Sequence, residues 1–92
     1  MQFEWDPEKA RKNLRKHGVT FEEAATCFED PLGIDFYDPD HSEDEDRYIL
    51  LALSKKGRVL VVIYTERKNK IRIISARKAT RKEEEFYYEN RV

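Results

Sequence analysis

Between residues 47 and 77 three apolar runs follow one another with almost no chain between them. Residues 47–54 and 58–66 are dense in Val, Ile, Leu and Tyr, and Lys55-Lys56-Gly57 between them reads as a glycine-containing hairpin turn. A second tight turn near Lys68-Asn69 leads into residues 71–77. Connections this short suit antiparallel pairing, because a parallel crossover needs a dozen residues or more. Residues 59–63 are almost continuously apolar, which predicts a central strand buried on both faces.

The flanking segments read as helices and short strands. Residues 2–5 alternate apolar and polar, a short strand from which Trp5 covers the core. Asp6 is a good N-cap and Pro7 suits the first helical position, so a helix runs to about His17, where Gly18 stops it. Thr20 and Glu23 have capping-box spacing and predict a second helix over 21–29 that buries Ala24, Ala25 and Phe28. Asp30-Pro31-Leu32-Gly33 is a turn, residues 33–37 a strand, and residues 38–46 an acidic loop. Thr80 and Glu83 repeat the capping box ahead of a helix over 81–90, anchored by Phe86 and Tyr87. The order is short strand, two helices, a four-strand meander and one helix. The expected class is α+β with an antiparallel sheet, and 92 residues suit one domain, 1–92.

Charge is sorted along this framework. Residues 1–46 hold 5 basic and 14 acidic side chains, residues 47–82 hold 12 and one, and residues 83–92 hold one and four. The formal net charge of −1 is therefore a cancellation, and the basic segment predicts a polyanionic partner. At 40% charged residues the chain still carries 12% aromatics and dense aliphatic runs, which argues against disorder. No apolar stretch is long enough to span a membrane, and no secretory signal pattern opens the chain. The single cysteine, Cys27, precludes an internal disulfide and reads as a small buried hydrophobe.

Arginine and lysine clusters bind phosphate backbones, and the planar arginine fork engages two oxygens at once. Arg67, Lys70, Arg72, Arg77, Lys78 and Arg81 lie on the last strands, their turn and the start of the final helix. Tyr64 is a candidate to stack an unpaired base or donate a proton. Histidine as a residue type can serve as acid or base near neutral pH, so His17 or Glu66 is a candidate for that role; the alternative for His17 is packing at a helix end. His41 reads as a solvated loop residue. No ligand pair has zinc-site or EF-hand spacing, so neither a metal nor another cofactor is expected. Strand register decides the site. A three-residue turn at 68–70 places Arg67 and Arg77 on one face, and a two-residue turn at 68–69 places them on opposite faces.

Glu4-Trp5-Asp6-Pro7, Asn13, Lys16-His17-Gly18-Val19, Phe21-Glu22-Glu23-Ala24 and Asp30-Pro31 resemble the first half of the BrnT toxins. His41-Ser42, Glu45 and Arg47 follow in the manner of that family's loop. Thr65-Glu66-Arg67, residues 71–80, Glu83 and Tyr87 resemble its second half. The resemblance implies a RelE-like fold and a cytoplasmic, metal-independent endoribonuclease that blocks translation. It further implies a BrnA-like ribbon-helix-helix antitoxin, a 2:2 complex, and operator DNA bound through that antitoxin. For that activity the residues read above supply the candidates: Arg67 and Arg77 for phosphate and transition-state contacts, His17 or Glu66 as acid or base, and Arg72, Tyr64, Lys70, Lys78 and Arg81 for RNA contacts. The competing reading is a non-catalytic nucleic-acid-binding or co-repressor module acting with a DNA-binding partner.

Overall fold

The computed structural model describes residues 1–41 and 44–91; Ser42 and Glu43 of the acidic loop lie outside the described residues, as does Val92. The elements are β1 (Gln2–Glu4), α1 (Pro7–His17), α2 (Phe21–Thr26), β2 (Ile34–Asp38), β3 (Arg47–Leu53), β4 (Val59–Arg67), β5 (Lys70–Lys78) and α3 (Arg81–Asn90). Asp6 caps α1 by accepting from the Glu8 N–H at 2.9 Å, and Gly18 closes it in the left-handed conformation. The helix expected over 21–29 is tighter at its end, because Cys27–Glu29 form a 3-10 turn after α2. Pro39–His41 form a second 3-10 turn inside the acidic segment.

One five-stranded sheet runs in the order β1-β5-β4-β3-β2. The four-strand meander is antiparallel as expected, but β1 pairs parallel to β5, so the sheet is mixed. The long return through α1 and α2 frees β1 from hairpin geometry, and it takes the open edge of β5. β4 is central and almost wholly buried, from Val59 to Thr65.

Alternation along the strands sorts side chains onto two faces. The first face packs Leu50, Ala52, Leu60, Val62, Ile73 and Ala76 against α1 and α2, with Phe21 and Cys27 in the same core. Burial pushes the Cys27 thiol up to about 12. The second face packs Leu51, Val59 and Val61 against Tyr87 of α3. The helix α3 covers only one end of that face; the other end, where β1, β5, β4 and β3 lie side by side, carries Arg47, Arg67 and Arg72.

Asn13 ties α1 to the sheet. Its buried amide donates to the Ala76 carbonyl at 2.8 Å and to the Val19 carbonyl at 3.0 Å, and its oxygen accepts from the Ala76 N–H at 3.1 Å. Asn13 thereby substitutes for a neighbouring strand at the edge of β5.

Candidate RNA-cleavage face

The turn joining β4 to β5 uses two residues, Lys68 and Asn69, both at positive φ (50° and 68°). Arg67 therefore pairs with Lys70, and the pairing runs in phase to Tyr64 opposite Ile73. There the register shifts: Ile63 pairs with Ser75 and Val61 with Arg77, leaving Ile74 as an extra residue. A two-residue turn was expected to put Arg67 and Arg77 on opposite faces. The bulge at Ile74 restores the phase, and both lie on the face that α3 partly covers.

One cross-strand row on this face crosses all five strands. Glu4 pairs with Arg72, Arg72 with Thr65, Thr65 with Arg47, and Arg47 with Asp38. Arg72 donates to the Glu4 carboxylate at 3.0 Å. Thr65 is fully buried and donates its hydroxyl to the Asp46 carbonyl at 2.6 Å, which lays the end of the acidic segment across the row. The neighbouring residue Glu45 takes two hydrogen bonds from Arg67, both 2.7 Å. That bidentate contact holds the Glu45 carboxyl below the usual range and raises the Arg67 guanidinium. Lys70, opposite Arg67, completes a cationic corner bounded by Glu4 and Glu45.

Strand geometry separates the two leading candidates. Arg67 lies six residues along β4 from Val61, the partner of Arg77, so roughly 20 Å divides them. Arg72 sits opposite Thr65, only two residues or about 7 Å along β4 from Arg67. The pair that can share one phosphate is Arg67 with Arg72, not Arg67 with Arg77. Arg77 instead holds Glu83 of α3, donating at 2.8 and 2.9 Å.

Other expected site residues lie elsewhere. Tyr64 is buried on the helix-covered face, stacked on Tyr48 and edge-on to Phe28, and donates to Asp35 at 2.6 Å. Burial, with the Asp35 contact, raises its hydroxyl well above the ordinary tyrosine value. Its ring is packed against Tyr48 and Phe28, and its hydroxyl proton is engaged by Asp35. Glu66 is exposed on that same helix-covered face, across the sheet from Arg67 and Arg72. His17 lines a groove with Ile74 and Ser75 beside α1 and does not join the arginine face. Lys78 pairs with Leu60 on the helix-covered face, and Arg81 is exposed at the start of α3, 3.6 Å from Glu85. His41 contacts Asp38 at 2.9 Å.

Three participants named in the family resemblance were given no catalytic or RNA-binding role from the sequence: Arg47, Glu4 and Glu45. Counting alternate residues back from Leu53, Leu51 and Ile49 would have placed Arg47 on this face. No such count finds Glu4 or Glu45, because they arrive from a parallel edge strand and from a loop. Among the described residues, no group of three or more His, Cys, Asp or Glu side chains is placed to hold a metal ion. None of the described helices is long and apolar enough to cross a membrane.

A model of the BrnT family, described as the ribonuclease toxin of type II toxin–antitoxin systems, matches residues 5–83. The chain belongs to the BrnT family. Its fold is similar to the 1.1 Å crystal structure of the BrnT ribonuclease toxin of Brucella abortus, at 20% identity and a TM-score of 0.69. The match covers 88% of this chain and 99% of the Brucella chain. Curated protein sequences gave no match. The matched BrnT segment contains the whole cross-strand row except Glu4, together with Arg67, Arg77 and Glu83. As a BrnT ribonuclease toxin, the chain has RNA as its target and an antitoxin as its partner.

Proposed function

We propose that residues 1–92 form a single RelE-like toxin domain that cleaves RNA without a metal ion at the corner made by Arg67, Arg72 and Lys70. The observation that carries this reading is the placement of Arg67 and Arg72 about 7 Å apart on one open sheet face. Cleavage requires that the ribose 2′-oxygen attack phosphorus as its proton leaves, while the bond to the 5′-oxygen breaks and that oxygen gains a proton. Guanidinium groups stabilise the charge that develops on the phosphoryl oxygens.

The carboxylates on the same face fit this exchange. A scissile phosphate engages Arg67 by displacing Glu45 from its two hydrogen bonds. Once released, Glu45 loses the contact that depresses its basicity and becomes able to take the 2′-hydroxyl proton. Lys70, opposite Arg67, is positioned to protonate the leaving oxygen or neutralise it. Arg77 and Arg81 extend the basic surface toward α3 for flanking phosphates, while Lys78, on the opposite face, stands with His17 and Glu66 outside the reacting group.

In this reading the toxin acts in the cytoplasm and stops translation. A BrnA-like ribbon-helix-helix antitoxin neutralises it in a 2:2 complex that carries the toxin to operator DNA. The test is cleavage of RNA by purified protein in EDTA. Loss of cleavage in Arg67→Ala and Arg72→Ala, with unchanged circular dichroism, supports the site. Full activity in both overturns it. Salt-sensitive RNA binding without cleavage in EDTA or magnesium would assign the chain as a binding or co-repressor module.

A further inference from the structure

Lys9, Lys12 and Lys16 recur on one side of α1 and converge, with His17, on a groove of about 210 Å³ walled by Ile74 and Ser75 of β5. Asn13 forms its floor. The pairing of β1 with β5 ends at Glu4 opposite Arg72, so no strand covers this stretch of β5 on that side. Each arginine of the sheet face named above as a candidate, Arg67, Arg72 or Arg77, already holds a carboxylate. The three lysines hold none among the described residues. Like charges at i,i+3 and i,i+4 destabilise a helix, and Lys9 near the α1 N-terminus opposes the macrodipole. An anion seated between the lysines would remove both penalties.

Ile74 and Ser75 lie between Arg72 and Arg77 along β5. Arg72 and Arg77 project from the opposite side of the sheet. A strand of RNA held by α1 therefore passes over the edge of β5 to reach them.

We propose that the α1 groove is a second RNA-phosphate site, separate from the cleavage corner, that grips the substrate on one side of β5 while the arginines engage it on the other. This rests on the ribonuclease reading above. The measurement is affinity for a 2′-O-methyl RNA 12-mer, which cannot be cut, as a function of salt. Lys12→Glu with Lys16→Glu should weaken binding at least about fivefold and lower the salt slope by about 1.4, the value for two single-strand phosphate contacts. Arg11→Glu with Arg15→Glu makes the same charge change outside the groove and should have a clearly smaller effect.

Equal effects of the two pairs would overturn the site, because net charge alone would then explain them. Unchanged affinity and slope in the lysine pair, with tight wild-type binding, would overturn the groove and leave the ribonuclease reading intact. Absence of RNA binding by the wild-type chain would overturn both. If the lysine pair weakened only capture of an antitoxin, the groove would belong to that partner and the proposal would fall.

Discussion

Arg77 on β5 and Glu83 on α3 are joined by two parallel hydrogen bonds of 2.8 and 2.9 Å, and Glu83 also accepts from the Thr80 N–H at 2.8 Å. One carboxylate thus completes the capping box of α3 and fastens that helix to the strand before it. The Arg77 contact, more than the cap, holds the Glu83 carboxyl down to about 2.

That depression makes a pH prediction. The folded value lies below the ordinary glutamate value of about 4.3. The stabilisation is therefore fully present above about pH 4.3 and is lost as pH falls from there toward 2. Glu83→Gln should cost about 1 kcal/mol at pH 7, the scale of a lost helix cap. The difference from wild type should shrink steadily as urea unfolding is repeated from pH 5 to pH 2.5.

Arg72 and Arg77 should separate cleavage from stability. Arg72→Ala removes a cation about 7 Å from Arg67 and should slow RNA cleavage about 100-fold, the scale of a lost transition-state donor. Arg77→Ala should lower the unfolding free energy by about 1 kcal/mol through the loosened α3, with a smaller loss of cleavage. Parallel urea titrations and single-turnover cleavage distinguish the two, and the reverse pattern would remove Arg72 from the site.

Glu45→Gln should divide binding from chemistry. Without the carboxylate, Arg67 is open to phosphate, so RNA affinity should rise several-fold. The proton acceptor is lost at the same time, so the cleavage rate of bound RNA should fall about 100-fold. A single-turnover rate equal to wild type would show that the proton goes elsewhere.

Asn13→Ala should destabilise the fold by about 3 kcal/mol, since it strands the buried Ala76 N–H and the carbonyls of Ala76 and Val19. Asn13→Asp should be no better, because a carboxylate has no proton to offer those carbonyls. Denaturant midpoints for the two variants check this.

The β4–β5 turn makes a prediction of the opposite sign. Lys68 and Asn69 both occupy the left-handed region, where lysine is strained. Lys68→Asn combined with Asn69→Gly supplies the pair such turns favour and should stabilise by roughly 1 kcal/mol. Asn69→Val should cost more than that, and thermal melts report both changes.

The elements and the polyanionic nature of the partner were legible in the order of residues. Capping residues Asp6, Thr20 and Thr80 marked three helix starts, Gly18 one helix end, and the spacing of apolar runs the meander of β2 to β5. These signals are local, so each is legible within a few residues. The clustering of basic side chains over residues 47–82 likewise needed no structure to point to a polyanion.

Which of those cations stand together depends on strand register and on contacts distant in the chain. The bulge at Ile74 sets whether Arg77 shares a face with Arg67, and a single extra residue inverts every side chain beyond it. Nothing around Ile74 announces the bulge, because its cause is long-range: Ile73 and Ala76 must both point into the core beneath α1 and α2. The placement of Glu4 and Glu45 opposite Arg72 and Arg67 depends on a parallel edge strand and a draped loop, contacts between residues far apart in the chain. Charge sorting along a chain is a property of composition, whereas charge pairing across a sheet is a property of register.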